Sequence, residues 1–367
     1  MIVASLLLSV ALTVQAPAPA PAPAPAPGAE EPAGKVEVAI DSSRHQVVIT
    51  AGPFDLPDMS GHADHSMSHD TPVQRFDWPV DGWFRGFAIE VLDSAGGQLP
   101  RRLMHHLIMI NYDRRQLIYP AAERLWGAGV ETGSAELPRT IGVPLKPGTG
   151  LGLYIAWHNQ TGQELPRVKL RMTMEWMPRN QMPRPVDVLP VYFDVNLTVG
   201  GANEFDIPPG RSEQTHEFVV PTEGRILGVS GHLHQYGKEV RLEDVASGKV
   251  LARVAAVQRP DGSVRKMERH LFGVSGAGLK LRAGRRYRVV AVYDNPTGET
   301  LIKGAMGSMV GIFAPSDLAR WPTVETGDTT FQRDLRFLAR RGYTSMSRSS
   351  AAPADTTAEA AHMHHHE

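Results

Sequence analysis

The chain has no cysteine. That excludes a disulfide framework, a thiolate metal ligand and a thiol nucleophile. Any soft ligand must then be methionine, and stability must come from buried apolar surface. Charge of one sign is lacking as well. The 38 Lys and Arg stand against 39 Asp and Glu, so no basic surplus argues for nucleic acid as a partner. No apolar run reaches the length of a convincing membrane span, and no long amphipathic helix marks the main body of the chain. What is present is ordinary globular composition, 42% hydrophobic and 21% charged over 367 residues. That length leaves room for two domains.

The N-terminus reads as a targeting segment. Residues 2–14 are almost wholly apolar, and Val14-Gln15-Ala16 has the small-x-small pattern of a signal peptidase site. No Lys or Arg precedes the run. Residues 1–16 are expected to be a signal peptide, with a retained N-terminal membrane tether as the second choice. Residues 17–34 are dominated by Ala-Pro repeats, an extended and semi-rigid spacer. A periplasmic or secreted protein is the expectation.

Beyond residue 35 the pattern is one of short strands. Apolar and alternating runs recur, separated by Gly and Pro turn signals. Residues 168–176 alternate well, which makes Met172 and Met174 core residues rather than ligands. The proline-rich stretch 178–190 is the best domain boundary. The expected fold is all-β, with two tandem antiparallel, jelly-roll-like β-sandwich domains at 35–188 and 189–318. Residues 117–138 read either as partly helical or as a long loop. Residues 319–367 read as a tail. In it Phe331, Leu335 and Leu338 have helical spacing over 331–341, and residues 362–367 are rich in histidine.

Histidines carry the chemical signal. His232 and His234 lie in G-H-L-H-Q-Y-G-K after a short strand. Residues i and i+2 of a strand share a side, so two imidazoles face one point, which suits a metal. An isolated surface pair is the plain alternative. His105 and His106 stand before the apolar run 107–110. Adjacent residues on a regular strand point apart, so a shared target requires a bend or bulge there, or one imidazole that reaches round; otherwise one of them is a core or surface residue. His158 follows the run L-Y-I-A-W and is either an edge residue or a third imidazole for that pair. Met306 and Met309 lie downstream, and thioethers favour soft metals. Residues 58–70 hold Met59, His62, His65, Met67 and His69 among Ser, Gly and Asp. That stretch is either a polar surface loop or an accessory metal loop.

Taken in order, these motifs resemble the copper type II, ascorbate-dependent monooxygenases, the family of peptidylglycine α-hydroxylating monooxygenase and dopamine β-monooxygenase. The carrying residues are His105-His106, His158, the His232-x-His234-x-x-Gly237-Lys238 pattern, and the Met309 strand after Tyr293-x-Asn295-Pro296-Thr297-Gly298. The resemblance spans residues 80–315 and suggests a bacterial exported member. It implies two copper ions, one per domain, facing a cleft between the domains. His105, His106 and His158 would hold the electron-transfer copper. His232, His234 and Met309, with Met306 as runner-up, would hold the copper that activates dioxygen. Ascorbate would be the reductant, and a small-molecule substrate would be hydroxylated at an activated C–H bond. Ser230, Gly311 and Phe313 replace the residues with which peptide-processing members grip a carboxylate, so peptide amidation is not expected. The alternative is a non-enzymatic copper-binding or copper-delivery protein outside the cytoplasm, on the same scaffold.

Overall fold

Alternation of apolar and polar side chains decides the architecture. In the strand Gln46–Leu56, Val47, Ile49 and Ala51 are fully buried while their neighbours are not. In Leu165–Pro178 the same holds for Leu170, Met172 and Met174. Such strands cover a core on one face and meet solvent on the other. A computed structural model describes residues 35–60, 69–129, 134–201, 203–272 and 278–349. The fold is nearly all β, a β-sandwich architecture of several sheets. No helix among the described residues is long and apolar enough to cross a membrane. The expected signal peptide, spacer and histidine-rich end lie outside the described residues.

Four main sheets account for the body. The first runs, in order of pairing, Lys35–Asp41 (β1), Gln46–Leu56 (β2), Leu165–Pro178, Gly82–Leu92, Ile141–Leu145 and Val186–Asp187. The second runs His69–Asp70, Gly150–Trp157, Met104–Arg115 and Ala122–Gly129. The third runs Leu189–Asp194, Gly307–Pro315, Gly224–Leu233 and His270–Leu271. The fourth runs Gly210–Val219, Arg286–Asn295, Gly237–Asp244, Lys249–Gln258 and Val264–Met267. Among the described residues, no strand pair joins a residue before 188 to one after it.

Aromatic rings key the sheets together. Phe54 of the first sheet meets Trp157 of the second at 5.6 Å between ring centroids, and Phe87 stacks on Trp126 at 3.9 Å. Phe193 of the third sheet stacks on Phe218 of the fourth at 4.8 Å. One apolar core then runs through residues of all four sheets, and the described residues fall in one compact unit.

Two sequence expectations change here. Residues 117–138 are neither a helix nor a plain loop. They contain the strands Ala122–Gly129 and Ser134–Glu136. The alanines and glutamates favour helix weakly, but pairing with Met104–Arg115 overrides them. That pairing buries Glu123 completely, where Asn111 donates to it at 3.0 Å and Arg114 ion-pairs at 3.4 Å.

The C-terminal helix is longer than its apolar spacing indicates, spanning Thr329–Ser349 (α1). Asp328 caps it, accepting from the N–H groups of Thr330 and Phe331 at 2.8 and 3.1 Å. Phe331 and Leu338 bury against Ile110, Tyr154 and Ala156, so α1 covers the outer face of the second sheet. Asp334 fastens it there. It takes both guanidinium nitrogens of Arg124 at 2.7 and 2.8 Å and the N–H of Ala122 at 2.9 Å.

Asp334→Ala would leave Arg124 without its counter-ion in a largely buried place. The Arg124 side chain keeps 26% exposure, so the loss belongs at the lower end for a broken buried pair, about 3 kcal/mol. Urea unfolding of the variant is expected to show that drop, and an unchanged midpoint would mean that α1 docks without the ion pair.

Candidate functional site

A bulge places the first histidines. Along Gly150–Trp157, Ala156 lies opposite His106 and Trp157 lies opposite Met104, so the register skips His105. One extra residue bends the strand and re-aims its side chains. The rings of His105 and His106 then stand 4.1 Å apart between centroids, although the residues are adjacent. His158 follows the end of the opposing strand and donates its N–H to the Leu103 carbonyl at 2.8 Å. Its ring lies 5.8 Å from that of His105.

The second pair is set by strand periodicity and a close approach. His232 is the last residue but one of the strand Gly224–Leu233, and His234 follows just beyond its end, with ring centroids 5.2 Å apart. Gly231 precedes them because a Cβ there would stand 2.7 Å from Val240 Cγ1. After His234 the chain turns through Tyr236, whose φ of 66° is left-handed. The Tyr236 N–H donates to the Gly262 carbonyl at 2.8 Å, which braces the turn. The Tyr293 hydroxyl accepts the His234 N–H at 3.0 Å and donates to the Met306 carbonyl. One phenol thus joins the histidine turn to the start of the Gly307–Pro315 strand.

The two groups meet. His106 and His232 stand 6.3 Å apart in an edge-to-face arrangement. Five imidazoles form a single file: His158, His105, His106, His232, His234. Burial pushes the His232 imidazole down to about 4, helped by His234 and His105. Burial also lowers His234, against a backbone hydrogen bond at Gly304 and the charge of Glu204. Both rings are neutral at neutral pH, so each keeps a nitrogen lone pair.

Methionine placement follows from register. Directly opposite residues of an antiparallel pair project to the same side. Met309 lies opposite Gly231 and Phe193 and is buried in the core. It therefore projects away from the side of His232. Ser308 lies opposite both His232 and Asp194, so those three form a row on one face. Met306 lies near the His234 backbone through the Tyr293 hydroxyl. In the stretch 58–70, Met59 is buried and donates its N–H to the Asn159 carbonyl at 2.7 Å, while His69 lies opposite Trp157. His62, His65 and Met67 lie outside the described residues.

Sequence reasoning missed a buried polar cluster beside the file. Asp194 is fully buried and accepts from the Tyr192 hydroxyl, the Asn196 N–H at 2.7 Å and the Asn203 amide at 3.2 Å. Burial raises its carboxyl above the usual range in spite of those donors, and burial raises Tyr192 as well. The Tyr119 hydroxyl accepts the Asp194 N–H at 3.0 Å and meets its carbonyl at 3.2 Å. The Tyr192-x-Asp194 alternation was a usable signal. Nothing in the sequence ties Tyr119 to a residue 75 positions away.

Comparison with known proteins gives no family. No family model matches the chain. No curated protein matches it. Among solved structures, the major capsid protein P2 of bacteriophage PM2 is 10% identical over 72% of this chain and 98% of that one, with a TM-score of 0.34. A chain of Sulfolobus turreted icosahedral virus is 8% identical over 85% and 99%, with a TM-score of 0.37. PNGF-II is 10% identical over 74% and 66%, also with a TM-score of 0.37. Likeness at that level carries no argument about function.

These findings correct the expectation of a copper monooxygenase. Neither family models nor curated proteins support that membership. Two ions on three ligands each require two separate donor sets facing a cleft. The imidazoles instead run in one file, ring against ring, and Met309 faces the core. Among the described residues, no three His, Cys, Asp or Glu side chains stand as a ready metal-holding group. The two coppers, ascorbate, dioxygen, the hydroxylated small-molecule substrate, the oxidoreductase activity and the copper-delivery alternative are withdrawn together.

The lowered His232 pKa has a pH consequence. The unfolded chain takes up a proton near the ordinary value of 6.5, and the folded chain takes it up near 4. The contribution of His232 is fully present above pH 6.5 and is lost as pH falls from 6.5 towards 4. Urea midpoints of metal-free protein across that range should decline less steeply in His232→Gln; identical slopes would show that His232 protonates freely in the folded state.

Proposed function

We propose that the histidine file is a binding site for a divalent transition-metal ion of the zinc or nickel kind, in an exported β-sandwich protein. One observation carries this reading. Five imidazoles from three separate stretches of chain stand ring to ring at 4.1 to 6.3 Å. A neutral imidazole is a good ligand for such ions. The lowered protonation of His232 and His234 favours the form that binds. Three imidazoles and a water suffice for a four-coordinate ion. The rings must turn to surround one point, on backbone that already brings them together.

The wider organisation fits. Strand pairing that stays within 35–188 and within 189–318 supports two tandem sandwich domains. His105, His106 and His158 belong to one and His232 and His234 to the other, so a bound ion would tie them. The apolar start and Val14-Gln15-Ala16 support a periplasmic or secreted location.

Cobalt(II) is the spectroscopic probe, with zinc(II) as competitor. The background carries serine in place of His62, His65, His362, His364, His365 and His366, so that those residues contribute nothing. One ion per chain is expected, with ligand-field absorption that zinc removes. Loss of an outer-shell partner costs 10–100-fold in metal affinity, so losing a ligand should cost roughly 100-fold or more. His106→Ala and His232→Ala should each show it. No binding of either ion, or binding indifferent to both substitutions, would rule the site out.

A further inference from the structure

The edge of the first sheet is unfinished. β1 pairs with β2 over seven consecutive residues without a bulge, and no strand among the described residues pairs with its other side. Val36, Val38 and Ile40 lie opposite Ala51, Ile49 and Val47, all fully buried. Opposite residues share a side, so the three β1 residues project towards the sandwich interior. Yet Val38 is 37% and Ile40 48% exposed. Natural edges are commonly blunted by proline, bulges or inward-pointing charges. β1 has none of these, and its charged residues, Lys35, Glu37 and Asp41, lie on the other face.

We propose that β1 pairs antiparallel with β1 of a second copy of this chain, about a two-fold axis at Val38. The sequence K-V-E-V-A-I-D is self-complementary in that register. Val38 meets Val38 of the partner subunit, and Val36 and Ile40 meet each other across the axis. The exposed interior residues of both edges are covered by this pairing. On the outer face Lys35 meets Asp41, twice by symmetry, and Glu37 meets Ala39. Neighbouring registers that keep the apolar face inward are worse. Centring on Glu37 sets that carboxylate against itself, and centring on Ala39 sets Glu37 against Asp41. A one-residue slip turns the apolar faces to opposite sides. Asp41 is held ready, since its Oδ1 accepts from the Ser43 hydroxyl at 2.6 Å and the Arg44 N–H at 3.0 Å. A two-fold, self-matching contact of this kind closes at a dimer and does not propagate.

Sedimentation velocity of the full chain tests this. A dimer is expected at tens of micromolar. Val38→Lys sets two ammonium groups together on the axis and should yield a monomer that still unfolds in one cooperative thermal transition, at a midpoint that no longer depends on protein concentration. Lys35→Asp and Asp41→Lys should each weaken the dimer roughly tenfold or more, since each sets like charges opposite twice. An equimolar mixture of those two variants should dimerise again, because every acid then meets a base. A native chain that sediments as a monomer overturns the proposal. So does a dimer unmoved by Val38→Lys and Lys35→Asp. Metal binding is independent of this edge, so either reading can fail alone.

Discussion

Burial across the chain's midpoint is the constraint on which the rest depends. Among the described residues, the strands before residue 188 and those after it exchange no ladder hydrogen bonds. Without cysteine there is no covalent clamp between them. They cohere because one apolar core continues through both sets. A few directional contacts fix their alignment. The Tyr119 hydroxyl engages both backbone groups of Asp194, and the Trp321 indole donates to the Arg115 carbonyl at 3.0 Å. Apolar contact is non-directional; these hydrogen bonds supply the direction. The histidines sit on the same seam, so their spacing inherits its precision.

The buried acid beside that seam belongs to the same logic. A carboxyl group removed from water must be neutralised or richly hydrogen-bonded. Asp194 is both pushed towards protonation and surrounded by donors. It stands on the row that contains Ser308 and His232. The row therefore changes from acid to imidazole across three strands, with one small hydroxyl between them.

Much of the fold was legible because its physics is local. Alternation along residues 46–56 and 168–176 reads directly as half-buried strand, and Phe331, Leu335 and Leu338 read as a helix face. The i, i+2 rule placed His232 and His234 side by side, and adjacency made a bend or bulge at His105 and His106 one of the ways in which both could face one point. What could not be read depends on pairing. Whether Met306 or Met309 shares a side with His232 turns on the Gly231–Met309 register, which spacing alone does not fix. Residues 117–138 read as partly helical or as a long loop until Glu123 is seen buried beside Asn111 and Arg114. The family resemblance rested on H-H, H, H-x-H-x-x-G-K and a Met strand after Y-x-N-P-T-G, short patterns that fix residue order but not the register that aims each side chain.

The bulge at His105 has a consequence for the strand as a ruler. Remove that residue and Met104 still meets Trp157, His106 still meets Ala156, and every buried side chain downstream keeps its phase. The ladder is as well formed with a strand one residue shorter. Against Gly150–Trp157, His105 is thus the one position between Met104 and Asn111 whose presence the pairing does not ask for. Its ring meets His106 on one side and His158 on the other.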